Sequence, residues 1–141
     1  HGLPDNQPVD RWQICHFTLP SHVMIEVGVA LAGNGGHQAP DAVKASSVVV
    51  DFITPETGTS HWYFWGMARR FKVDDPELTA SIREGQGRIF AEDLAMLESQ
   101  QRNLLDHPGR DLLKLNIDAG GVQARRMIER AIAAEAAAAS A

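Results

Sequence analysis

Two groups of residues in this chain have types and spacings that could do chemistry. They are the acidic pair Glu92-Asp93 and the aromatic run His61-Trp62-Tyr63-Phe64-Trp65. Steps of three and four residues collect Ile82, Gln86, Ile89, Asp93, Met96, Leu97, Gln100 and Leu104 on one helical face. Asp93 thus falls in the middle of a largely apolar stripe, with Glu92 to one side. A carboxylate on a core-facing stripe is costly unless something positive meets it. An Arg or capping backbone N–H groups would do so. So would a metal ion, and a role as general base in a cavity is a further possibility. In a strand, the aromatic run puts Trp62, Phe64 and Gly66 on one face and Tyr63, Trp65 and Met67 on the other. Aromatics on both faces predict cover on both faces. Plain core packing explains them as well as flat walls that stack a planar ring substrate do.

Other chemistries lack their motifs. The six histidines form neither an H-E-x-x-H pattern nor any close pair, so the chain shows no complete metal site of its own. No G-x-S-x-G elbow is present, and Cys15 and His16, adjacent in a strand, point to opposite faces. Gly33–Asp41 is glycine-rich, yet it has neither G-x-G-x-x-G nor G-K-[ST] and reads as a surface loop.

The elements that must position these residues follow from periodicity. Arg11–Leu19 and His22–Ala32 read as a β-hairpin joined at Leu-Pro-Ser; Ser46–Thr54 and Ser60–Phe71 complete a four-stranded antiparallel meander. Asp75-Pro76-Glu77 opens a helix to about Leu105, with Asp75 as N-cap and Pro76 in the first turn. Gly85 and Gly87 inside it predict a tight contact, with the sheet as the candidate neighbour. Residues 111–118 read as irregular. A second helix, about Val122–Ala138, buries Val122, Ile128 and Ile132 and frays into its alanine tail. Strands followed by helices make an α+β domain: an antiparallel sheet, a long helix packed across one face, and a C-terminal helix. The space between sheet and helix suits a small apolar ligand.

Composition narrows the class. The 141 residues suit one domain; net charge is −5, with no basic stripe for nucleic acid. No apolar run is long enough to span a membrane, and no signal peptide is expected at the polar start. A single cysteine fits a reducing cytoplasm.

Several long motifs then point the same way. Val9–Cys15 (V-D-R-W-Q-I-C), Ser21–Ala30, Val49–Thr57 (V-V-D-F-I-T-P-E-T), Trp62–Arg69 (W-Y-F-W-G-M-A-R), Gln86–Leu105 and Leu112–Arg126 closely resemble the C-terminal part of vanillate O-demethylase oxygenase subunits. These are Rieske non-haem iron monooxygenases. The match runs from about Pro8 to Glu135, so residues 1–141 resemble only the C-terminal part of a catalytic domain of helix-grip, START-like type.

The resemblance implies a mononuclear Fe(II) held by two His and one Asp. The carboxylate ligand lies in an E-D-x-x-x-x-E pattern on the long helix, here Glu92-Asp93 to Glu98, which makes Asp93 the matching metal ligand and catalytic residue. The two His ligands, and the Rieske [2Fe–2S] domain, belong to sequence N-terminal of what is present. In demethylases of chlorinated methoxybenzoates a substrate-contacting His opens the strand after T-P-E-T. Trp62 holds that position here, with Phe64 next as a pocket residue. The implied reaction is vanillate + O₂ + NADH to protocatechuate + formaldehyde, with electrons arriving through a reductase partner. A homotrimer is implied for the full-length subunit. The chain alone is expected to be inactive, and a helix-grip domain that binds a small apolar ligand without catalysis is the alternative.

Overall fold

The computed structural model describes residues 3–110 and 112–140. His1 and Gly2 at the polar start, and Asp111 at the head of the 111–118 stretch, lie outside the described residues. Four strands, β1 (Val9–Thr18), β2 (His22–Leu31), β3 (Lys44–Pro55) and β4 (His61–Arg69), form one antiparallel sheet in sequence order. This is the expected meander. The glycine-rich loop between β2 and β3 holds two short 3-10 turns, Gly36–Gln38 and Asp41–Val43. A long helix, α1 (Pro76–Asp106), follows β4, and a 3-10 turn (Asn116–Asp118) leads into α2 (Ala119–Ala139). The fold is α+β. No helix among the described residues is long and apolar enough to cross a membrane.

Register sorts the side chains. Ile53 pairs with Tyr63, Asp51 with Trp65 and Val49 with Met67. Across β2, Val23 pairs with Asp51 and Ile25 with Val49. These residues therefore share one face, the inner face. Trp62, Phe64, Phe52 and Met24 share the outer face. On that outer face the indole of Trp12 lies over Gly28, its direct partner on β2. A Cβ built at Gly28 would collide with the Trp12 ring and stand 2.8 Å from the Ala45 carbonyl oxygen, so glycine is required there.

The start of α1 is held locally. The Asp75 carboxylate accepts from the Leu78 N–H at 2.9 Å, and Pro76 needs no donor in the first turn. Arg69, the last residue of β4, donates from Nε to the Phe71 carbonyl and from Nη2 to those of Lys72 and Asp75. One side chain thus ties strand end, turn and helix start together.

Three expectations on the helices are corrected. The inner stripe of α1 runs Leu78, Ile82, Gln86, Phe90, in steps of four; Ile89 and Met96 are exposed, Met96 by 72%. Gly85 and Gly87 have nothing within 4 Å of a built Cβ, so no close contact demands them. In α2, Val122 is half-buried, but Ile128 and Ile132 are exposed, and Gly120 and Gly121 lie inside the helix rather than before it. The seating of Phe90 on β4 turns Ile89 off the sheet, and helix length explains the exposure of Met96. The 31 residues of α1 extend about 46 Å, whereas the nine of β4 extend only about 30 Å. The C-terminal part of α1 overruns the sheet, and its last turns border a cleft with Arg110, Leu112 and Leu113 instead.

These observations separate the glycines by experiment. Gly28→Ala should destabilise the chain by about 1–3 kcal/mol through overpacking. Gly85→Ala should stabilise it by about 0.5–1 kcal/mol through helix propensity. Urea unfolding of the two variants measures both signs.

Candidate functional site

The inner face of the sheet meets α1 through aromatic rings. Phe90 lies edge-on to Tyr63, with centroids 5.4 Å apart, and to Trp65 at 5.3 Å. Both distances fall within the range favoured by T-shaped pairs. Counting back from the β4–α1 turn explains the meeting. Phe90 is about 21 Å along α1, and Tyr63 and Trp65 are about 13–20 Å back along β4. The helix returns along the strand that precedes it, so equal path lengths bring these residues level.

Asp93 lies three residues after Phe90 on the same side of α1. By the same count it stands about 26 Å along the helix, level with the beginning of β4 at His61. Its side chain is exposed, and no hydrogen bond or ion pair to a described residue holds it. The buried, costly carboxylate expected from the apolar stripe is therefore not found: the helix has reached the end of the sheet there. Glu92 is exposed as well.

A buried carboxylate does exist nearby, at a position the sequence reading did not single out. Asp51 is 4% exposed, and its Oδ1 has no hydrogen-bond partner. It sits on the inner face between Val49 and Ile53, diagonal to Tyr63 across the β3–β4 pair. The Asp51 carboxylate lies close enough to the Tyr63 hydroxyl to act on its ionisation. Tyr63 is 40% exposed as a whole. Its pKa is pushed well above the ordinary tyrosine value. Burial is the main cause, followed by the neighbouring Asp51 carboxylate and the negative charge of Asp93. The signal for Asp51 was legible. In V-V-V-D-F-I the aspartate shares the parity of Val49 and Ile53, the inward positions.

Trp62 and Phe64 occupy the outer face, 58% and 55% exposed, beside Phe52 and Met24. Trp62 shares with Asp93 the end of the sheet but not its face, so the described residues do not bring the two together. The cleft of about 290 Å³ between β4 and the first turns of α1 is lined by Trp65, Met67, Arg69, Thr79, Ile82 and Arg83, among others. It includes none of Asp93, Trp62 and Phe64. Among the described residues no group of three or more His, Cys, Asp or Glu side chains could hold a metal ion.

Tyr63 is the single tyrosine in the chain, so its ionisation is directly observable. The folded chain should show no ultraviolet phenolate band at the ordinary tyrosine pKa of about 10, whereas the urea-unfolded chain should. A raised folded pKa means that this group's contribution to stability is complete below about pH 10 and is lost as pH rises further. Phenolate appearing near pH 10 in the folded chain would contradict the burial of Tyr63 beside Asp51.

Comparison with known proteins supplies the remaining context. The family model of the vanillate O-demethylase oxygenase C-terminal domain matches residues 1–134. A vanillate O-demethylase oxygenase subunit from Pseudomonas sp. (strain ATCC 19151) is 74% identical over 138 residues, covering 98% of this chain and 42% of the relative. Another, from Pseudomonas sp. (strain HR199 / DSM 7063), is 69% identical over the whole chain and 40% of its own length. The oxygenase component of dicamba O-demethylase from Stenotrophomonas maltophilia is 30% identical over 94% of the chain and 38% of its own length. No solved structure matches the chain. The chain spans about two fifths of the length of these relatives. With nearly all of its residues inside the family match, it belongs to the vanillate O-demethylase oxygenase C-terminal domain family.

Proposed function

We propose that residues 1–141 act as the C-terminal part of the catalytic domain of a Rieske-type non-haem iron O-demethylase. The complete subunit converts vanillate, O₂ and NADH to protocatechuate and formaldehyde, with a reductase component passing the electrons and a Rieske [2Fe–2S] cluster in a preceding domain. The observation that carries this reading is the 74% identity to a vanillate O-demethylase oxygenase subunit over 98% of the chain.

Asp93 is the residue we assign to the metal. An exposed carboxylate with no hydrogen bond or ion pair to a described residue suits one ligand position on a mononuclear Fe(II), and the remaining ligands come from outside this chain. When bound, the iron supplies activation of O₂ for hydroxylation of the methoxy carbon. This chain's contribution is a negative charge at a defined place on a rigid helix. Trp62 and Phe64 offer exposed aromatic faces for a planar methoxy-acid substrate.

The accessible surface supports completion by further protein. It is 10880 Å², against about 7,200 Å² for a compact monomer of this mass. Leu94, Leu97, Leu105 and Leu113 are among the apolar side chains left open. The rest of the subunit, and neighbouring subunits of a homotrimer, would cover them. A cytoplasmic setting agrees with a free, exposed Cys15.

The test uses the complete oxygenase subunit with Asp93→Ala. Demethylation should fall below about 1% of wild type, because even an outer-shell partner of a metal site contributes up to about 100-fold. Iron content after gel filtration should fall with it. Retention of near-normal activity would refute the assignment.

A further inference from the structure

We infer that the cleft between β4 and the first turns of α1 holds the carboxylate end of an aromatic acid, with Arg83 as its counter-ion. The inference rests on the reading of the complete subunit as a demethylase of such an acid, and it names the residue that selects for the charge.

Arg83 has no acidic partner on its own helix. Arg88 meets Glu84 at 3.6 Å and Arg102 meets Glu98 at 3.9 Å, each one turn back along α1. One turn to either side of Arg83 stand Thr79, Ala80, Gln86 and Gly87, none of them acidic. Among the described residues Arg83 makes no ion pair. The cleft it borders is about 290 Å³, near the lower end for small-molecule pockets. Trp65, Met67 and Ile82 give it apolar walls, and a second arginine, Arg69, lines it from the end of β4. Arg69 spends Nε and Nη2 on the carbonyls of Phe71, Lys72 and Asp75, which leaves Nη1 without a described acceptor. No described aspartate or glutamate lines the cleft. Two cations over an apolar space, in a chain of net charge −5, suit an anion with an apolar body. A guanidinium fork matches a carboxylate through two parallel N–H bonds.

The cleft also lies in line with Asp93. Ile82, in its wall, and Asp93 stand about three helical turns apart and so share a face of α1. Trp65 continues the wall in that direction, because its ring meets Phe90, one turn before Asp93. About 15 Å of helix separates Arg83 from Asp93. That span leaves room for an arginine side chain and one aromatic ring beside the metal position. An acid held by its carboxylate at Arg83 therefore turns its far side toward Asp93.

The experiment measures steady-state demethylation by the complete subunit with its reductase. Arg83→Gln should raise KM for vanillate about 10–100-fold and leave kcat within about twofold, because the lost contact is the same in the ground and transition states. Arg83→Lys should recover part of the loss, since the charge remains without the fork. Vanillyl alcohol has the same ring and methoxy group without the charge, and Arg83→Gln should handle it as wild type does. An unchanged KM for vanillate in Arg83→Gln would overturn the inference, as would an equal loss on both compounds. A wild-type subunit that fails to demethylate vanillate would instead overturn the reading on which the inference rests.

Discussion

The placement of α1 depends on one ring. Phe90 lies edge-on to both Tyr63 and Trp65, and these contacts seat the middle of the helix on the sheet. The start of the helix is secured separately, by the Asp75 cap and the Arg69 guanidinium. A helix held at its beginning and its middle has a defined direction. Because a helix is stiff, that direction also sets where Asp93 stands, about 5 Å further along.

The sheet beneath is adapted to this. Its inner face is aliphatic at Val23, Ile25, Val49 and Ile53, and Asp51 stands among these residues. A buried carboxylate with an unpaired Oδ1 is poor for stability on its own.

Much of this architecture was legible in the residues. Alternation in β1 to β4 and the Asp-Pro-Glu helix start dictated the meander and α1 to within a few residues. The sheet-facing stripe of α1 was misjudged because periodicity alone does not set its phase. Ile82 and Gln86 belong to both candidate stripes, and only the seating of Phe90 on β4 selects the one without Ile89. Past Phe90 the helix outruns the sheet, so apolar residues there read as core in a pattern and stand exposed in the chain. Asp51 was hidden for the opposite reason. Its parity was plain, but a single carboxylate among valines attracts less notice than a long helix with an acidic pair. The faces of Trp62 and Tyr63 were correct from alternation. Which face meets α1 depends on how the chain turns after Arg69, and no local pattern carries that.

The central structural claim, that Phe90 and Tyr63 hold helix to sheet, is open to a double-mutant cycle on this chain. Phe90→Leu, Tyr63→Leu and the double variant are unfolded in urea and their free energies compared. A coupling of about 0.5–1.5 kcal/mol is expected for an edge-on aromatic pair. Additivity within about 0.3 kcal/mol would mean that the rings do not act together, and the middle of α1 would then be unanchored.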